Sequence, residues 1–237
     1  MQIIDYFELL IGLFPALFVI VIMYIWSANY RDGFSALLRM IVQLLLVGYL
    51  LTFLFESENS ILILAVLLTM VLASSWIALR TVKEHRTKLL KHTIFSVFIG
   101  GGIILTIITQ GVLSVNPWFD PQYIIPLGGM IFANAMNSVS LCSERYLSEL
   151  NKGVSEKKAR ATAYQTSLIP IVNSLFAVGL VSLPGMMTGQ ILSGVSPLIA
   201  VRYQIMVMCM VFASAGFASA LFLISSKSIY RTINQTD

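Results

Sequence analysis

The feature that most restricts this chain is a succession of apolar runs, each about as long as a bilayer is thick. They cover roughly Leu9–Ala28, Leu37–Phe55, Ile61–Leu79, Thr93–Val115, Gln122–Cys142, Ser167–Leu183 and Tyr203–Ser226. About 20 mostly apolar residues let a helix cross the hydrocarbon core. The runs lack the two-residue alternation of strands, and an open sheet would leave backbone groups unsatisfied in lipid. Only 11% of the residues are charged, against roughly 25% in soluble domains. A water-soluble globule and a disordered chain are both excluded. The expected fold is all-α: a polytopic membrane protein with about seven transmembrane helices, forming a single domain over residues 1–237.

The basic residues set the expected orientation. Arg31 and Arg39 fall at the first connection. Arg80, Lys83, Arg86, Lys88 and Lys91 fall at the third, and Arg145, Lys152, Lys157, Lys158 and Arg160 at the fifth; Lys227 and Arg231 follow the last run. These alternate connections hold 14 of the 15 basic residues, while Asp5, Glu8, Glu56, Glu58 and Asp120 lie opposite. Cytoplasmic loops collect Lys and Arg, which puts the N-terminus outside and the C-terminus in the cytoplasm. The same bias accounts for the net charge of +4, so no nucleic-acid partner is inferred. The first run follows Asp5 and Glu8 rather than a basic region, and is expected to stay as a membrane helix. The expected location is the cell membrane, multi-pass, with the bilayer as a partner.

Catalytic signatures are missing. There is no G-x-x-x-x-G-K-[ST] phosphate loop, no H-E-x-x-H and no Cys-x-x-Cys. His85 and His92 sit among lysines and make a poor cation site. Cys142 and Cys209 lie in apolar runs and read as small buried hydrophobes. The chain is therefore not expected to be an enzyme or to hold a metal or cofactor of its own.

Three segments stand out. In the cytoplasmic stretch of about residues 144–168, Tyr146, Leu147 and Leu150 share a helix face, and Gly153 suits the left-handed end of that helix. Ser155 is placed to cap a second short helix with Glu156 in its first turn, presenting Ala159 and Ala163 one turn apart. Such a small-residue face fits a groove on another protein. The second segment, of about residues 184–199, begins Pro184-Gly185-Met186-Met187-Thr188-Gly189-Gln190 and is broken at short intervals by Gly and Pro. A regular helix is not expected there. It either re-enters the membrane or caps the outer mouth of a pathway, and the adjacent Arg202 either snorkels to the surface or meets an anion. In the third, Met130, Asn134, Asn137 and Ser138 fall on one helical face, where amides turn toward other helices or a polar cavity. Gly100, Gly101 and Gly102 interrupt run four, and Ala213, Ala215, Gly216, Ser219 and Ala220 line run seven, as packing devices. Most of the methionines read as core filler.

The stretch Val178-Gly179-Leu180-Val181-Ser182-Leu183-Pro184-Gly185-Met186-Met187-Thr188-Gly189-Gln190-Ile191-Leu192, followed by Gly194, Pro197 and Tyr203–Met208, resembles the FetB-type ABC-transporter permeases, relatives of the aluminium-tolerance membrane proteins of plants. Gln43–Tyr49, Ile125–Ile131 and Asn134-Ala135-Met136 are similar as well. The resemblance implies a permease subunit that dimerises and exports iron, with ATP used by a separate ATPase subunit. Some plant relatives are linked instead to UDP-glucose, which leaves a sugar-nucleotide permease as one alternative; a non-transporting membrane scaffold or assembly protein is another. Gly153, Ser155, Glu156, Ala159 and Ala163 then correspond to the ATPase-docking loop. Met130, Asn134, Asn137, Asn173, Pro184, Gly185, Met186, Met187 and Gln190 become the expected substrate path. Asn173-Ser174-Leu175-Phe176 departs from an acid–base pair expected in many relatives.

Overall fold

A computed structural model describes residues 5–56 and 59–230; the expected positions of Glu58 and Arg231 lie outside them. Among the described residues the regular structure is helical, apart from an isolated bridge between Val178 and Ser182. The chain divides into two compact units, Met1–Ser57 and Glu58–Asp237.

The first unit is a helical hairpin of α1 (Tyr6–Ile25) and α2 (Tyr30–Phe55). Its turn rests on Ser27, whose φ of 55° is left-handed. That geometry lets the Ser27 N–H donate to the Tyr24 carbonyl at 3.1 Å and the Ala28 N–H to the Met23 carbonyl at 2.8 Å, the paired bonds of a Schellman end. Helix α2 begins two turns before the expected run, so Arg31 and Arg39 lie inside it rather than in the connection. Nothing in the stretch Tyr30–Phe55 breaks a helix, and its mean hydropathy of 2.1 remains that of a crossing segment.

The second unit starts with α3 (Ser60–Ala78), a 3-10 stretch Leu79–His85 that breaks at Val82, and α4 (Arg86–Thr106) with a π-helical turn Ile107–Val112 at its end. Arg86 stacks on the Trp76 ring at 3.4 Å, joining the start of α4 to the end of α3. Then come α5 (Pro121–Asn151), α6 (Glu156–Ala177), the short α7 (Gly185–Leu192) and α8 (Pro197–Ser225). Asp120 starts α5 by accepting the Gln122 N–H at 2.9 Å, with Pro121 where a missing donor does no harm.

Helix α5 is the axis of this unit, packed by α3, α4, α6 and α8; α8 also packs on α4 and α6. Glycines permit the closest approaches. A methyl group on Gly100 would stand 3.0 Å from the Ala218 backbone nitrogen of α8, and one on Gly101 would stand 2.8 Å from the Phe132 ring of α5. The three glycines do not interrupt α4, which runs through them; neighbouring helices fill the space at Gly100 and Gly101, while the space at Gly102 is open. Buried Ser138 of α5 is tied to both partners: its hydroxyl lies 2.7 Å from that of Ser219 on α8 and donates to the Ser167 carbonyl of α6 at 3.2 Å.

Five stretches among the described residues are long and apolar enough to cross a bilayer: Glu8–Ile25, Tyr30–Phe55, Ser60–Val112, Pro121–Asn151 and Pro197–Ser225. Ser60–Val112 contains both α3 and α4, so six of the expected runs are covered. The sixth run differs. Helix α6 starts at Glu156 and carries Lys157, Lys158 and Arg160 in its first turns, and it ends at Ala177 rather than Leu183. Its uncharged part, residues 161–177, rises about 25 Å at 1.5 Å per residue, short of the roughly 30 Å core.

Candidate functional site

Two cavities succeed one another along α6 and α8. The first, of about 100 Å³, lies among α5, α6 and α8 and is lined by Asn134, Asn137, Ser138, Ser167, Pro170 and Ser174 among others. Its polar lining follows from local sequence: Asn134 and Ser138 repeat at one-turn spacing on α5, and Ser167 and Ser174 stand two turns apart on α6. Pro170, between them, has no N–H to give the Thr166 carbonyl, which frees that acceptor. Asn134 donates from Nδ2 to the Met130 carbonyl of its own helix at 2.8 Å, while Asn137 is exposed.

The second cavity, of about 350 Å³, is bounded by the end of α6, the segment before α7, and α7 and α8. Pro184, Met187, Gln204, Met208 and Cys209 are among its walls. Gln204 is 5% exposed, and its Oε1 is sealed from solvent with no hydrogen-bond partner. A larger apolar cavity of about 840 Å³ lies among α3, α4 and α5, walled by side chains such as Leu64, Phe98, Ile103 and Trp118. Its wall is mostly apolar, with Thr106, Thr109 and Gln110 as its polar members, so volume alone does not mark the path.

The expected path residues therefore divide. Asn134 and Asn137 meet in the first cavity, and Pro184 and Met187 in the second. Met130, Asn173, Gly185, Met186 and Gln190 line neither. Met130 and Met186 are half-buried against the core instead, and the Gln190 Oε1 is buried without a partner. The expected irregular segment is also corrected: Gly185–Leu192 is the regular helix α7, lying against α8. Gly194, at φ 92°, ends it by a Schellman pair, its N–H donating to Ile191 and that of Val195 to Gln190, both at 3.0 Å. Its glycines and proline sit at helix ends or on a lightly packed face, where they do little harm. Sequence reading missed Gln204, Met208 and Cys209, whose common wall arises only when α8 packs beside α6 and α7. The one local hint was a glutamine in an apolar helix.

The basic stretch of residues 144–168 is two helix ends joined by a tight turn. Helix α5 runs on to Asn151, and Gly153, at φ 74°, closes it with a third Schellman pair: its N–H donates to Leu150 at 2.9 Å and that of Val154 to Glu149 at 3.2 Å. The expected short helix after Ser155 is not separate. It is the start of α6, and Ser155 occupies the cap position without a side-chain cap bond. Ala159 and Ala163 are both 0% exposed and belong to the chain's own core. They cannot nest in a partner's groove as expected, because their small size is used to seat α6 within this unit. The outward side of the same turns carries Lys157, Lys158, Arg160 and Ala161, all exposed. Glu156 pairs with Lys227 at 2.7 Å, and Arg145 with Glu149 at 2.8 Å. Tyr230 seals this end beneath Tyr146, ring centroids 4.8 Å apart, and burial pushes its phenol well above the ordinary value, keeping it a neutral donor to the Ser143 carbonyl.

Among the described residues no three His, Cys, Asp or Glu side chains gather where they would hold a metal ion, and neither α6–α8 cavity has a charged residue in its wall. Long apolar helices, with a small polar-lined cavity among α5, α6 and α8, define an integral, multi-pass membrane protein. The chain belongs to the group described as Uncharacterised protein family (UPF0014), whose model matches residues 6–231. It is 37% identical over 202 residues to the "Probable iron export permease protein FetB" of Escherichia coli (strain K12), covering 77% of this chain and 75% of that one. Over 229 residues it is 30% identical to the UPF0014 membrane protein YjkA of Bacillus subtilis (strain 168), covering 86% of each. Over 228 residues it is 31% identical to the protein ALUMINUM SENSITIVE 3 of Arabidopsis thaliana, covering 86% of this chain and 82% of the relative. No solved structure matches the chain.

Proposed function

We propose that this chain is the membrane-spanning permease subunit of an ABC transporter that exports iron or a related metal ion, works as a homodimer and is driven by a separate ATPase subunit. The observation that carries the reading is a pair of cavities along α6 and α8, the first lined by amides and hydroxyls and the second by two thioethers, a thiol and one amide in an otherwise aliphatic wall. Neutral donors hold a cation weakly enough to release it, as conduction requires. The likeness to a relative named as an iron export permease supports the cargo. A sugar nucleotide is less well served, since its phosphates want cations and neither cavity wall supplies Lys or Arg.

In this reading the N-terminus is outside and the α5–α6 turn faces the cytoplasm. The exposed Lys157, Lys158 and Arg160, with Gly153, Ser155 and Glu156 around the turn, form the surface on which the ATPase docks. ATP is then used by the partner, and this chain supplies the path.

The test is purification of the chain with its associated ATPase, followed by ATP hydrolysis in the presence of ferrous iron, other metals and UDP-glucose. Stimulation by ferrous iron is expected, with Asn137→Leu lowering it roughly five- to tenfold through a lost contact of about 1–1.5 kcal/mol. Failure to recover an ATPase, or stimulation by UDP-glucose alone, would contradict the reading.

A further inference from the structure

The donors of the second cavity are of a different kind from those of the first. Met187 comes from α7, Met208 and Cys209 from adjacent positions on α8, and Gln204 from one turn earlier on α8. Cys209 is a free, exposed thiol, whereas Cys142 is buried. The rest of the wall is aliphatic, including Leu175, Val178, Leu183, Val201 and Ile205. Thioethers and thiolates are soft ligands that select Cu(I)-like ions, whereas Mg²⁺ and Ca²⁺ demand several oxygen ligands or retained waters. An aliphatic wall with one amide oxygen offers a hard ion too few oxygens. The unpartnered Gln204 Oε1 is a second, independent sign of an unmet partner, because a buried carbonyl oxygen without a donor or cation is destabilising.

We propose that this cavity is a binding site for a soft monovalent metal cation of the Cu(I)/Ag(I) class, held by the sulfurs of Met187, Met208 and Cys209 with the Gln204 amide oxygen as a further neutral donor. Binding converts the Cys209 thiol and the cation into a neutral metal thiolate and releases one proton to solvent. The site then carries no net charge in its apolar surroundings. The cation's place in a transport path rests on the permease reading above; its binding to this cavity does not.

The experiment uses the full chain in lipid nanodiscs, together with its ATPase where the two co-purify, and silver(I) alone as the probe. Equilibrium dialysis against a competing chelator is expected to give one tightly held silver ion per chain. Silver is also expected to protect Cys209 from maleimide labelling. The double variant Met187→Leu/Met208→Leu conserves side-chain volume and is expected to weaken binding by about tenfold or more, with labelling protection reduced to match. Met136→Leu, outside the cavity, is expected to change neither. Full-strength binding in the double variant would overturn the proposal, because it would leave a lone reactive thiol rather than a site. Binding unaffected by Cys209→Ser would overturn it equally. Absence of silver protection at wild-type Cys209 would overturn the proposal without any variant, so a folding defect cannot mask that outcome. Failure of the permease reading would show separately, as silver binding with normal stoichiometry but no metal-stimulated ATP hydrolysis.

Discussion

Single residues set the tolerances of this fold. Gly101 meets the Phe132 ring so closely that one added methyl must push it aside. Gly101→Ala is expected to destabilise the chain by about 1–3 kcal/mol, the usual range for overpacking, read as a lower midpoint of thermal aggregation in detergent. Ser27 and Gly153 hold the same left-handed conformation at equivalent helix ends, but only one of them is a glycine. A non-glycine residue held there costs roughly 1–2 kcal/mol. Ser27→Gly is therefore expected to raise the midpoint and Gly153→Ala to lower it, although nothing stands within 4 Å of a methyl group at 153. Shifts of the same sign in the two variants would show that backbone conformation does not govern these turns. Gly153 was legible in the sequence because glycine next to a helical face has few other uses. Ser27 was not, because serine marks many local structures and the turn forms only when α1 and α2 lie side by side.

Among the elements, the reading of long apolar runs succeeded where a helix is apolar throughout, as with α3, and erred where polarity changes along a helix. Helix α6 has charged first turns and an apolar remainder, so hydropathy divides what backbone hydrogen bonding joins. Pro170 lies inside α6 without ending it, since its neighbours hold the helix in place. Ala159 and Ala163 were visible as a small-residue stripe, but no local pattern tells whether such a stripe meets another chain or the chain's own core. Burial decides it, and burial depends on where α5 and α8 lie. The clasp of α5, α6 and α8 at Ser138 makes an element-scale prediction. Ser138→Ala is expected to destabilise the helix packing by about 0.6–1.7 kcal/mol, the range for interhelical hydrogen bonds in membranes. Ser219→Ala should add little in the double variant, since both changes break the same bond. A double-variant cycle on thermal stability reads this directly, and strict additivity would show that the two hydroxyls act independently.

At the scale of the molecule, the chain separates two uncharged cavities along α6 and α8 from a charged turn at the end of α5. The docking account requires cavities and turn to respond together. The Glu156–Lys227 pair spans the first turn of α6 and the residues following α8, so the ends of both helices are linked at the charged turn. Ion pairs that stay in contact with water add little to stability; Lys227 and Glu156 are both half-buried, and Lys227→Ala is expected to lower the aggregation midpoint only slightly. If the pair keeps the two ends in register, the same variant lowers metal-stimulated ATP hydrolysis while leaving the basal rate of the complex intact. Equal loss of both rates would show a general defect in assembly instead.

The central claim is that the charged α5–α6 turn faces the side of the membrane where ATP is available. The most direct measurement places one cysteine at Lys158, exposed on α6, in a Cys142→Ser/Cys209→Ser background. Intact cells are then labelled with a maleimide that does not cross membranes. The account predicts no labelling until the cells are opened, and strong labelling of inside-out vesicles. Labelling of intact cells would put the turn outside and contradict it.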